Sequence, residues 1–100
     1  MSKLDHDVHF MDAGTFFAAD EVVRMTGLTQ AEFTLLAELG VVTESGGRYA
    51  AQVVSVGRRA TRLRDAFELE GSGLALALRL LERIEELEAR LHEVSCQLPR

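Results

Sequence analysis

The sequence predicts a mainly α-helical protein, a winged helix-turn-helix followed by a long C-terminal helix that forms a dimeric coiled coil. Three observations predict it. Two short helical segments meet at a glycine turn. A turn-rich segment with β-branched and aromatic residues follows them. Beyond residue 71, apolar residues recur every three or four positions. We expect an N-terminal arm over residues 1–15, the winged helix-turn-helix over 16–70 and the dimerisation helix over 71–98.

The first helix is expected after an arm without helical periodicity, in which Val8–Met11 is too short to distinguish a strand from an irregular segment. Asp20 is predicted to cap the free backbone amides of the first turn. Val22 and Val23 provide an inner face, and Gly27 suits the left-handed residue that ends a helix.

The second helix begins with a capping box, because Thr29 and Glu32 are spaced to bond each other's backbone amides. Gly40 ends this helix. Its inner face is predicted from the three-residue spacing of Phe33, Leu36 and Leu39.

A small two-stranded wing is predicted over Val41–Tyr49, where a Ser-Gly-Gly turn separates β-branched from aromatic residues. A third helix follows, and Gly57 inside it indicates close packing at that point. Its inner face is predicted as Val53, Val56, Ala60, Leu63 and Phe67. Its outer face carries Arg58, Arg59 and Arg62.

The last helix is predicted from Leu74 to about Leu98, after a break at Gly71–Gly73. Its first half is apolar on most of its faces and is expected to be buried. Its second half narrows to a coiled-coil seam that needs a partner helix, for which a second copy of the chain is the simplest candidate. The predicted dimerisation residues are Leu80, Ile84, Leu87, Leu91, Val94 and Leu98.

The composition of the chain restricts the classes of protein to which it could belong. The start of the chain lacks a signal-peptide core, and no apolar run reaches the roughly 20 residues of a membrane span. Cys96 is the only cysteine, which fits a reducing compartment. We therefore expect a cytoplasmic location. The net charge of −5 is unevenly distributed. Residues 1–47 carry −6, residues 48–67 carry +4 and residues 68–100 carry −3.

No motif predicts catalysis, a cofactor or a resident metal. The chain lacks a nucleophile elbow and a glycine-rich phosphate loop, so we do not expect an enzyme. Asp5, His6, Asp7 and His9 are of metal-ligating types, but a metal site is not the favoured interpretation of an irregular arm.

The second helix is a poor match to a DNA-reading helix. Such a helix places its outward residues against base edges and needs cations near the phosphates. Residues 29–39 contain no lysine or arginine and carry −2. The arginines of residues 48–64 could hold a DNA backbone, or could pair internally with Glu44, Asp65, Glu68 and Glu70. We favour the internal pairing and expect no nucleic acid partner.

Residues from about Thr15 to Val94 resemble the winged-helix, MerR-like chaperone modulators of the CbpM type. The likeness lies in Thr26-Gly27-Leu28, Leu39-Gly40-Val41-Val42, Arg62-Leu63-Arg64, and Gly73-Leu74-Ala75 with Ala77-Leu78 and Leu80. The first two motifs are shared with MerR-like transcription regulators. The loop over Thr43–Tyr49 is shorter than is usual in the family, and the arm has no counterpart there.

The resemblance implies a protein that binds the J-domain of a DnaJ-like, CbpA-type co-chaperone and blocks its work with Hsp70 by occlusion. J-domains present a basic helix to Hsp70, so an acidic surface would mimic the chaperone. Charge and exposure, rather than the family pattern, predict the partner-binding residues Asp20, Glu21, Gln30, Glu32, Thr34 and Glu38. A MerR-like DNA-binding regulator and a bare dimerisation module are the alternatives.

Overall fold

The computed structural model describes residues 14–97. Within that range the elements are strand β1 (Phe16–Phe17), helices α1 (Ala19–Thr26) and α2 (Gln30–Glu38), strand β2 (Tyr49–Ala50), and helices α3 (Ala51–Phe67) and α4 (Gly71–Gln97). The predicted mainly helical architecture and the long C-terminal helix are confirmed. The undecided segment Val8–Met11 lies outside the described residues.

Helix α1 begins at Ala19, so the prediction that Asp20 caps it is wrong. Ala18 occupies the cap position, and its methyl side chain cannot accept a hydrogen bond from the helix amides. Glu21 stabilises this end instead, because its Oε1 accepts a hydrogen bond from the Ala18 N–H at 2.8 Å. At the other end Gly27 has a φ of 84°, and its N–H donates to the Val23 carbonyl, as the sequence predicts.

Helix α2 begins with the predicted capping box. Thr29 Oγ1 accepts from the Glu32 N–H at 3.0 Å, and Glu32 Oε1 accepts from the Thr29 N–H at 2.9 Å. Phe33 and Leu36 are buried, but the prediction that Leu39 lies inside is wrong, since it is 43% exposed. Leu39 follows the last helical residue, where the chain is already turning away from the helix axis.

Of the predicted two-stranded wing only the turn at its tip is present. Between Val41 and Tyr49, pairing is limited to a bridge between Ser45 and Arg48, around a glycine turn. β2 pairs with β1 instead, in antiparallel register, with Phe17 opposite Tyr49. This arrangement buries both aromatic rings, which a free wing would leave in water.

The core lies among α1, α2, α3 and the first turns of α4. The Phe33 and Tyr49 rings meet edge to face, with centroids 5.0 Å apart and an interplanar angle of 76°, which ties α2 to the sheet. The other large buried side chains are Phe17, Val22, Leu28, Leu36, Val42, Val53, Val54, Leu74 and Leu78.

Helix α3 packs closely against α1, as Gly57 predicts. A Cβ on Gly57 would stand 2.5 Å from Thr26 Cγ2. Val53 and Ala60 are buried, but the prediction that Phe67 is an inner residue is wrong, because its side chain is 68% exposed. Phe67 ends the helix, and the chain reverses immediately afterwards at Glu68, which has a φ of 55°.

Helix α4 starts at Gly71, so the predicted break at Gly71–Gly73 is wrong; the interruption lies at residues 68–70. The expectation that the whole apolar first half is buried is also wrong. Leu74, Ala75 and Leu78 are buried on one face, whereas Leu76 and Leu80 on another face are exposed. In a single chain the domain covers one side of this helix and leaves the other uncovered.

None of the helices within residues 14–97 combines the length and the apolar character needed to span a bilayer.

Candidate partner-binding face

The six predicted partner-binding residues lie on α1 and α2, the two helices of the helix-turn-helix. Within residues 14–97, no side-chain hydrogen bond or ion pair joins any two of these six, so their side chains do not form a single bonded cluster. They fall into three groups, at the start of α1, on the outer stripe of α2 and in the capping box.

At the start of α1 the two acidic residues differ in what they can offer a partner. Asp20 is exposed and accepts a hydrogen bond from Arg24 one turn later, at 3.2 Å. Such an exposed pair is weak and opens readily. Glu21 is half-buried and caps the Ala18 amide. Asp20 therefore keeps an accessible carboxylate, whereas Glu21 has a structural role.

The outer stripe of α2 consists of Gln30, Thr34 and Glu38. They are four residues apart and therefore lie along one face of the helix. All three side chains are exposed. Ala31 beside them is also exposed, whereas Ala37 packs partly against the core. The stripe is polar and free of cations.

Glu32 has, besides its predicted place in the capping box, a contact that was not predicted. Besides its bond in the capping box, its Oε1 accepts a hydrogen bond from Arg64 Nη1 at 2.7 Å. The two side chains are only 18% and 26% exposed. Glu32 is thus held within the chain by two donors and is poorly placed to meet a partner.

Arg64 contacts this face although no pattern in the sequence predicts it. From α3 it bonds Glu32, Asp65 at 3.0 Å and the Gly27 carbonyl at 3.4 Å. Hydrogen bonding to Asp65, and then to Glu32, raises the pKa of the Arg64 guanidinium, against the opposing effect of its partial burial. Arg64 lies 32 positions from Glu32, and no local sequence signal predicts that contact.

Two other arginines of α3 are also bound to atoms of the chain. Arg58 donates to the Met25 carbonyl at 3.2 Å, and Arg59 donates to both carboxylate oxygens of Glu85 at 3.0 and 3.2 Å. Of the predicted internal partners, Asp65 is confirmed for Arg64. The contacts with Glu32 and Glu85 were not predicted, because both join elements far apart in sequence.

Another unpredicted contact stabilises the end of α2. This helix has no basic residue in its last turn, and its final carbonyls need donors. Arg79 supplies one from α4, since its Nη2 donates to the Leu39 carbonyl at 2.9 Å. A cation near a helix C-terminus also interacts favourably with the helix dipole. The position of α2 therefore depends on both α3 and α4.

The predicted dimerisation residues are exposed as far as the structure describes them. Leu80, Ile84, Leu87, Leu91 and Val94 are between 47% and 67% exposed, and Leu98 lies outside the described residues. No group of three or more metal-ligating side chains is found within residues 14–97. The predicted but unfavoured ligands Asp5, His6, Asp7 and His9 fall outside that range.

Two short helices joined at a glycine turn, a loop that pairs with the first strand and a long helix projecting from the domain define a helix-turn-helix domain. A family model described as MerR HTH family regulatory protein matches residues 17–95. The chain therefore belongs to the MerR helix-turn-helix family. No curated protein and no solved structure matches it at a significant level.

Proposed function

We propose that this protein is a chaperone modulator of the CbpM type, which binds the J-domain of a DnaJ-like, CbpA-type co-chaperone and inhibits it by occluding the surface that Hsp70 uses. It acts in the cytoplasm as a homodimer, through protein binding rather than catalysis, and uses no cofactor. One observation carries the proposal: the outward stripe of α2 has no cation and ends in the exposed carboxylate of Glu38.

This stripe is unsuited to a polyanion and suited to a basic protein helix. A helix lying in a DNA groove needs side chains that neutralise phosphates, and Gln30, Thr34 and Glu38 supply none. Glu38 offers an accessible carboxylate to a basic J-domain helix, and Asp20 on α1 is a second exposed carboxylate.

The internal pairing of the arginines supports the same proposal. Arg58, Arg59 and Arg64 each donate to a named acceptor within the chain. Engaging phosphates with them would first break those bonds. Arg64 neutralises the charge of Glu32, which leaves α2 with less negative charge than its composition indicates. The proposed contact therefore depends on fewer carboxylates.

The test measures binding of a purified J-domain to the full-length chain and to its Glu38→Lys variant. We expect the reversal to weaken binding about five- to tenfold, roughly 1–1.4 kcal/mol, since it replaces attraction by repulsion toward a basic helix. Glu93→Lys is the matched control, because it makes the same charge change at an exposed position on α4. If Glu38→Lys and the control bind equally well, α2 is not the contact surface.

A MerR-like DNA-binding regulator is the second candidate. Arg48 favours it, because this residue is exposed and its side chain has no hydrogen bond or ion pair within residues 14–97; the family match is compatible with both candidates. If DNA were the ligand, the chain would retard a duplex at about 50 mM salt and lose on the order of 10³-fold in affinity by about 200 mM. We expect no such retardation at either salt concentration.

A further inference from the structure

A cleft lies between helices α3 and α4, beside the turn that follows α2; we call it the α3–α4 cleft. It encloses about 430 Å³. Its floor is apolar, because Leu78 is buried there and Val41 and Val56 are half-buried at the edge of the core. An aliphatic group lying on this floor would remove apolar surface from water, which is favourable.

The rim of the cleft is charged, and the charges do not cancel. Arg59 extends from α3 and donates to both carboxylate oxygens of Glu85 on α4, at 3.0 and 3.2 Å. Glu82, one turn earlier on α4, is exposed, and its carboxylate makes no hydrogen bond or ion pair within residues 14–97. The charged side chains of the lining therefore carry one positive and two negative charges, a net charge of −1.

The Arg59–Glu85 pair determines which carboxylate can receive a ligand. Two parallel hydrogen bonds make such an arginine–carboxylate contact stronger than a single bond between neutral groups. The contact occupies Glu85 and balances the guanidinium charge with a carboxylate. Glu82 is left as the acceptor of the rim. The pair also joins the two walls of the cleft, since it bridges α3 and α4.

An apolar floor beside an unpaired carboxylate matches an aliphatic chain that ends in a cation. Lysine and arginine side chains have this form, because their methylene stems lie along apolar surface while the charged end stays in water or on a carboxylate. An anion would be repelled by Glu82, and an uncharged chain would gain nothing from it. The lining therefore selects for a stem and a positive charge together.

The exposed rim favours a side chain of a partner protein over a free small molecule. Sites for small molecules bury roughly 70–90% of the ligand surface. Here Glu82 and Glu85 are exposed at the rim, so a chain lying along the cleft keeps one side in water. A side chain is attached to its own protein on that side, and contacts made around the cleft add to its affinity.

We propose that the α3–α4 cleft receives a lysine or arginine side chain of a partner protein, with the methylene stem on Val41, Val56 and Leu78 and the cation on Glu82. The site goes beyond the proposed function, because it uses none of the side chains of the outer stripe of α2. The chain then has two separate contact sites for basic surfaces, and the cleft adds a requirement for an aliphatic stem.

The chemistry is tested with n-butylammonium, which is a lysine side chain without its backbone. The full-length chain, labelled with ¹³C at its methyl groups, is titrated and followed by NMR spectroscopy. We expect saturable shifts at the methyl groups of Val41, Val56 and Leu78. Uncharged n-butanol should bind about three- to fivefold more weakly, and butyrate should bind more weakly still. Equal binding of butanol and butylammonium would refute the role of the carboxylate.

A charge-neutralising variant assigns the cation to one residue. Glu82→Gln keeps the size of the side chain, and we expect it to raise the dissociation constant of butylammonium about three- to fivefold. Glu93→Gln is the matched control, because it removes the same charge from an exposed position of α4 outside the cleft, and it should change nothing. Circular dichroism checks that both variants fold. If the two variants bind equally well, Glu82 does not hold the cation.

Two further measurements distinguish a partner side chain from other occupants. A five-residue peptide with lysine at its centre and alanine elsewhere should bind at least as tightly as butylammonium, whereas its norleucine counterpart should bind more weakly. Binding of butylammonium without binding of the lysine peptide would assign the cleft to a small free amine and overturn the proposal. Nuclear Overhauser effects from the cleft methyl groups to residues 1–13, or to a differently labelled second copy, would show a cleft filled by the chain itself, with the same consequence.

These measurements use neither a J-domain nor the Glu38 side chain. A negative result at the cleft would therefore leave the proposed function to its own test, and a failure of J-domain binding would leave the cleft proposal intact.

Discussion

At the scale of single residues, Gly57 shows how a position can be required for packing rather than for backbone freedom. It lies in the interior of α3, where glycine is less favourable than alanine by about 1 kcal/mol. The surrounding side chains account for its presence. Thr26 is buried there, and its hydroxyl donates to the Val22 carbonyl at 2.8 Å, so the threonine cannot easily move aside.

We expect Gly57→Ala to lower the free energy of unfolding by about 1–3 kcal/mol. The added methyl group would lie 2.5 Å from Thr26 Cγ2 and 3.3 Å from Leu28 Cδ1, and the resulting overpacking exceeds the gain in helix propensity. Gly73→Ala in α4 is the matched control, because nothing lies within 4 Å of its added Cβ, and it should raise stability by about 0.5–1 kcal/mol. Urea denaturation measures both; a stabilised Gly57→Ala variant would contradict the packing argument.

At the scale of elements, α2 is held by its neighbours at both ends. Arg64 from α3 bonds Glu32 in the first turn, and Arg79 from α4 bonds the Leu39 carbonyl after the last turn. Between these contacts, Phe33 and Leu36 anchor the inner face in the core. The outer stripe is consequently presented on a helix fixed by three separate interactions, which lowers the entropic cost of binding a partner.

Removing the charge of the Arg64 side chain should lower the free energy of unfolding more than removing the charge of an exposed arginine. We expect Arg64→Met to destabilise the fold by about 1–2 kcal/mol, because it leaves the mostly buried Glu32 carboxylate without its cation. Arg24→Met, which removes an ion pair about 70% exposed on both sides, should cost about 0.3–0.5 kcal/mol. The free energies of unfolding are measured by thermal or urea denaturation. If both variants lose the same amount, the Arg64–Glu32 contact is no stronger than a surface ion pair.

At the scale of the whole molecule, the long helix separates two kinds of surface. Its first turns complete the core of the helix-turn-helix through Leu74, Ala75 and Leu78. Its later turns extend beyond that core and expose apolar side chains, which single soluble domains rarely do over a continuous stripe. Folding of the domain and association of two chains are therefore expected to be coupled through one helix.

This coupling predicts a midpoint of thermal unfolding that depends on protein concentration. Association stabilises the native state by mass action, so raising the concentration from about 1 to about 100 µM should raise the midpoint by roughly 3–5 °C per tenfold step. In the Ile84→Asp variant the midpoint should be lower and independent of concentration. Differential scanning calorimetry over this range measures both, and a wild-type midpoint that does not change would argue against association through α4.

Local patterns in the sequence determined the helices, the capping box at Thr29, the turn at Gly27, the close packing at Gly57 and the apolar stripe on α4, because each depends on residues a few positions apart. The tertiary structure decided which carboxylates remain accessible. It holds Glu32 against Arg64, uses Glu21 as a cap and pairs Tyr49 with Phe17 in place of a wing. It also covers only one face of the apolar start of α4. Those outcomes depend on contacts between distant segments, and the energy of such contacts is set by how the elements pack, which no spacing along the chain encodes.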